Sequence, residues 1–123
     1  MTDSLGNLLA IYVHAANVHD TVAGIWAAWF AFAWYSSIQK FCGDLGYRGT
    51  FVDNVRQFMH LDVDISERIK PKEWKVAKWR WVVERTFSWL NHSRRLSKDF
   101  EITTDSQECM VKISHIHTLL KRL

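Results

Sequence analysis

Several things are scarce in this chain, and each scarcity narrows its class. It has two cysteines, Cys42 and Cys109, in no metal or redox spacing. That leaves reduced thiols as the default and the cytoplasm as the expected compartment. It has one proline and no internal repeat or low-complexity tract, as suits an ordinary globular composition. No basic segment follows Met1, so no signal peptide is expected. The glycines Gly43, Gly46 and Gly49 are evenly spaced but lack the Lys-Ser/Thr that completes a phosphate loop. The longest apolar run, Val22 to Tyr35, falls short of the roughly 20 residues that a bilayer requires. No Lys/Arg cluster flanks it to orient it. A helix packed on a sheet is therefore expected there, with a small membrane-associated helical protein as the competing class.

Aromatics are plentiful: seven Trp and seven Phe in 123 residues. Each hides about 150–250 Å² when buried, so one small domain can build a core. Charge is unevenly placed. Residues 1–69 hold four Lys/Arg against seven Asp/Glu, a balance of −3, whereas residues 70–123 hold twelve against six, a balance of +6. A basic C-terminal half beside an acidic-leaning N-terminal half suits a polyanion partner and a separate cation site. An ordinary solvated helix face explains the same imbalance.

Along the chain, Asp3-Ser-Leu-Gly-Asn7 is a turn signal. Leu8 to Val13 is continuously apolar and predicts a strand buried on both faces. Asp20 is the expected N-cap of a helix from Thr21 to Ser37. His14 and His19 lack a third ligand and are expected to be structural or solvent-facing. Ile38 to Gly43 reads as a short strand. Asp44 follows it in a glycine-rich turn, placed to hold a metal at a sheet crevice or to satisfy its own turn. Thr50 to Met59 can form a helix with Phe51, Val55 and Phe58 on one face. His60 to Ile65 alternates as a half-buried strand does; Asp62 and Asp64 would share its solvated side. Lys70, Lys72, Lys75 and Lys78 interleave with Trp74 and Trp79, a pattern that suits phosphate contact and base stacking. Near the C-terminus, Thr104-Asp-Ser-Gln107 fits a capping box. Cys109, Ile113, Ile116, Leu120 and Leu123 mark the stripe expected to face inward.

The stretch from Trp79 to Phe100 organises the rest. Trp79, Val82, Val83, Phe87 and Leu90 recur at helical spacing, and Arg80, Glu84, Ser88 and Asn91 form a second stripe. Glu84 is the lone carboxylate on a helix rich in Arg, Lys and Trp. An exposed Arg80–Glu84 pair, worth a few tenths of a kcal/mol, accounts for it in plain terms.

The wording Arg80-Trp-Val-Val-Glu84-Arg85-Thr-Phe87-Ser-Trp89-Leu90, followed by Arg94-Arg95-Leu96 and Lys98-Asp99-Phe100-Glu101, resembles the C-terminal signature of DDE-type insertion-sequence transposases of the insertion sequence five group. Asp3 to Val18 resembles the hairpin and strand end of the same family, and Asp44-Leu-Gly46-Tyr47-Arg-Gly49 resembles the neighbourhood of its second catalytic Asp. The broad family pattern has an aromatic three places before the Arg and a Lys seven after the Glu; this sequence has Ala77 and Asn91 there. The resemblance implies an α/β architecture: a partial ribonuclease H-like fold, a mixed sheet flanked by helices, with N-terminal strands missing. It implies two-metal phosphoryl transfer on DNA, with Mg²⁺ ions about 4 Å apart. Asp44 and Glu84 would be metal ligands, and Arg80, Arg85, Lys70, Lys72, Lys75 and Lys78 would contact phosphate. The family's first catalytic Asp lies upstream of the Asp3–Asn7 turn. The expectation is therefore a truncated transposase with an incomplete Mg²⁺ site and little activity alone, a homo-oligomer when functional, acting on element ends and target DNA with an upstream transposase product. A catalytically dead DNA-binding remnant is the alternative.

Overall fold

The computed structural model describes residues 1–66, 79–98 and 100–123. Lys70, Lys72, Trp74, Lys75 and Lys78, for which DNA contact is expected, lie outside the described residues.

Helix α1 spans Asp20–Trp34. His19, rather than the expected Asp20, caps it: its imidazole accepts from the Thr21 amide at 3.3 Å. Small residues face the protein, with Ala23, Gly24, Ala28 and Ala31 buried. Gly24 is required by close approach, since a Cβ there would meet the Tyr47 ring at 2.6 Å. Strand β1 (Lys40–Gly43) runs into a short 3-10 turn, Leu45–Tyr47, then helix α2 (Thr50–Met59) and strand β2 (Asp62–Ile65). β1 and β2 pair in parallel, Lys40 opposite Asp62 and Gly43 opposite Ile65. α2 supplies the crossover that a parallel pair needs. Among the described residues this two-stranded parallel pair is the whole sheet.

The core gathers Ala28 and Ala31 of α1, Phe41 of β1, Phe51, Val55 and Met59 of α2, and Val63 of β2, closed by Ala10. α2 thus buries positions i, i+4 and i+8. Phe58, expected on this face, is exposed, and Met59 takes its place. Asp62 and Asp64 sit on the solvated side and pair with Arg56 at 3.1 Å and Lys40 at 3.5 Å.

Helices α3 (Arg80–Asn91) and α4 (Thr104–Leu120), joined through a 3-10 turn at Arg94–Leu96, pack against each other. The N-terminal segment ties them to the rest. Its turn at Asp3–Asn7 forms as expected, with the Asp3 amide bonded to the Asn7 carbonyl at 2.9 Å. The buried strand expected over Leu8–Val13 does not form; a single antiparallel bridge joins Thr2 and Leu8. The Leu9 and Ala10 amides donate to the Met1 carbonyl, and two others go to side chains of α4. The Leu8 amide donates to His115 Nε2 at 3.0 Å, and the Val13 amide to Glu108 Oε1 at 2.9 Å.

These bonds decide which way α4 faces. A helix that must present Glu108 and His115 to the chain turns Ser114 and His115 inward. The stripe of Cys109, Ile113, Ile116, Leu120 and Leu123, expected in the core, is exposed. The helix is capped one residue earlier than expected, by Thr103, whose hydroxyl accepts from the Ser106 amide at 3.2 Å. α3 likewise buries Val82, Thr86 and Leu90, while Val83 and Phe87 of the expected stripe face solvent.

Candidate functional site

Asp44 stands directly after β1, at the C-terminal end of the parallel pair. It caps the following 3-10 turn, its Oδ1 accepting from the Gly46 amide at 2.9 Å. This is the local bond that turn aspartates commonly make. The carboxylate is exposed, as is Gly46 beside it. Tyr47 gathers two acids: burial raises its hydroxyl's pKa above the ordinary value, and Asp20 and Asp44 raise it further. Asp20, at the first turn of α1, and Asp44 thus both act on the Tyr47 hydroxyl.

Glu84 lies mid-way along α3. Its Oε1 accepts from Arg80 Nε at 2.9 Å, both side chains well exposed. An open groove of about 400 Å³ runs beside it, lined by Glu84, Phe87, Ser88, Asn91 and His92. Every lining residue belongs to α3 or its C-cap, so the groove is a surface of one helix. Asn91, the place where the broad transposase pattern has Lys, shares the groove with Glu84, two turns apart. Asp44 does not line it.

Arg85 points the other way along the helix. It donates from Nη2 to the Leu5 carbonyl at 2.7 Å. Its guanidinium lies 4.6 Å from the Trp81 ring centroid and 4.9 Å from that of Trp89, and Arg122 lies 4.7 Å from the far ring. The result is a stack of alternating rings and cations, each contact worth about 0.5–1 kcal/mol at exposed sites. Sequence reasoning missed this stack, although Trp81, Arg85 and Trp89 recur at i, i+4 and i+8. It also missed Thr86, which donates its hydroxyl to the Gly6 carbonyl at 2.9 Å, and His115. Burial holds His115 below its ordinary pKa, Arg122 adding to the effect and Asp3 opposing it.

A two-metal centre asks for several hard oxygen ligands converging on one point. Among the described residues, no group of three or more His, Cys, Asp or Glu is placed to hold a metal ion. Asp44 and Glu84 are each engaged by a local donor. As arranged, these residues do not fit a pair of Mg²⁺ ions. Nor, among the described residues, is any helix long and apolar enough to cross a membrane.

Comparison with known proteins places one part of the chain. Over 38 residues it is 47% identical to a Burkholderia cepacia protein named "Putative transposase for insertion sequence element IS402". The match covers 31% of this chain and 18% of that relative's length. No family profile matches the chain. No solved structure matches it. The local identity supports a relationship to insertion-sequence transposases.

Proposed function

We propose that this chain carries the later part of a ribonuclease H-like catalytic domain of a DDE-type transposase, in the insertion sequence five group, and that its own contribution is to contact DNA. The observation that carries the reading is the 38-residue stretch at 47% identity to a protein named as a transposase. Three features favour it. Glu84 and Arg80 stand one turn apart on the exposed side of α3. Asp44 ends a parallel strand, where α/β folds collect ligands. Residues 70–123 carry a surplus of six positive charges.

Arg80 and the lysines Lys70, Lys72, Lys75 and Lys78 are the proposed phosphate contacts. Arg85 is left out because its guanidinium is committed to the Leu5 carbonyl and two indoles. Metal-dependent cleavage and strand transfer belong, in this reading, to an assembled transposase and not to this chain alone. The Arg80–Glu84 ion pair favours a second reading, a DNA-binding chain that does not cleave.

Titration of labelled duplex DNA with the full chain over a range of salt concentrations tests the proposal. Five phosphate contacts predict that log K falls against log salt with a slope of roughly −4.5. Replacing the four lysines with alanine should flatten it to roughly −1. Absence of binding at low salt, or a slope near zero, would sink the DNA-contact reading. Mg²⁺-dependent plasmid nicking by the chain alone would overturn its restriction to binding.

A further inference from the structure

α1 is built inside out. Its small residues, Ala23, Gly24, Ala28 and Ala31, are the buried ones. Its large apolar residues face solvent: Val22 is 47% exposed, Trp26 51%, Trp29 49%, Phe30 42% and Trp34 83%. These positions fall on one arc of the helix at about 100° per residue. Tyr12 extends the arc from the N-terminal segment, its ring centroid 6.3 Å from that of Phe30.

Taking about 150–250 Å² for each full aromatic side chain, the exposed fractions leave roughly 500 Å² of contiguous apolar surface. That is near the upper end of what monomers expose, about 300–600 Å². It would also fill most of one side of a standard protein interface, about 800 Å² per partner. No charged residue occurs from Thr21 to Gln39. A partner that brought its own charges to this face would desolvate them unpaired, whereas a second copy brings another uncharged aromatic face.

We propose that α1 is a homodimerisation surface, Val22, Trp26, Trp29, Phe30 and Trp34 of one copy packing against the same residues of a second. A two-fold interface needs a self-complementary patch, and an uncharged face meets itself without repulsion. Antiparallel pairing across the axis sets the α1 N-terminus beside the C-terminal end of the other helix. The two macrodipoles then oppose favourably. The smooth inner face of α1 allows this: alanines and glycine seat the helix in its own core, so its tryptophans are free to form the interface.

Sedimentation velocity of the full chain, from low to high micromolar concentration, tests the assignment. The expected result is a concentration-dependent dimer. Trp29→Glu should raise its dissociation constant at least about 30-fold, as loss of a central aromatic does, while Trp29→Phe keeps association. Circular dichroism checks folding; should Trp29→Glu lose helix signal, Trp34→Glu, at the most exposed position, replaces it with the same expected reading. A wild-type chain that stays monomeric throughout overturns the proposal, as does a folded glutamate variant that dimerises like wild type. Binding to phosphatidylcholine vesicles without self-association also overturns it, and assigns the face to lipid.

Discussion

Thr86→Val removes a hydroxyl that couples the N-terminal turn to α3 and whose one proton is shared between the Gly6 carbonyl and, at 3.0 Å, the Val82 carbonyl of its own helix. Thr86 is buried, and its hydroxyl donates to the carbonyl of Gly6, itself buried, at 2.9 Å. Valine matches threonine in shape, so packing is kept and the donor alone is lost. Gly6 cannot easily move to another partner. It holds a left-handed φ of +82°, and even a Cβ there would meet Thr86 Oγ1 at 2.9 Å and Trp89 at 3.2 Å. A buried carbonyl left without a donor costs about 1–3 kcal/mol. With a urea slope of about 2 kcal/mol per molar, the unfolding midpoint should fall by about 0.5–1.5 M. Thr86→Ser keeps the hydroxyl and removes one methyl, a loss of about 0.8 kcal/mol by transfer. It should therefore lie between wild type and Thr86→Val. If Thr86→Val melts with wild type, the turn is not held to α3 through this bond, and the account of the N-terminal segment as a tie between the two parts fails.

Phe51→Ala, which empties a site beside the edge-on Tyr47 ring 5.2 Å away, should cost about 3–5 kcal/mol; thermal or urea unfolding measures it, and a loss under about 1 kcal/mol would contradict the core described. Burial lowers the pKa of His115 in the folded chain, so the unfolded chain binds the proton more readily. Stability from this group is whole above the ordinary value near pH 6.5 and is lost as pH falls below it. His115→Gln, which keeps an acceptor near the Leu8 amide, should remove that slope from pH-dependent urea curves; an unchanged slope assigns it elsewhere. Glu84→Gln should change melting by less than about 0.5 kcal/mol, the scale of an exposed pair, and should tighten DNA binding in the salt titration by freeing Arg80. A large drop in stability would mean that the pair is structural.

Local signals were legible without coordinates. β1, α2, β2 and α3 lie where strand alternation, turn residues and helical spacing put them, because those patterns act over a few neighbouring residues. Asp44 after its strand and Glu84 one turn past Arg80 could be placed for the same reason. Facing was less legible. The outward Phe87 and Ile113 read as core residues because periodicity gives a stripe's existence but not its direction. Which stripe turns inward was decided by partners far away in sequence: Gly6 for Thr86, Leu8 for His115, Val13 for Glu108.

The sequence by itself determined the strand–helix–strand order of β1, α2 and β2, the places of Asp44, Arg80 and Glu84 on their elements, and a resemblance to transposases. Only the tertiary structure decided that the Leu8 and Val13 amides go to side chains of α4 rather than to a neighbouring strand. It also decided that α1 seats its alanines and presents its tryptophans, and that Arg85 is held between indoles. The physical reason is common to all three. A backbone donor or an apolar face must find a partner, and spacing along the chain does not specify which distant group will be nearest once the chain has folded.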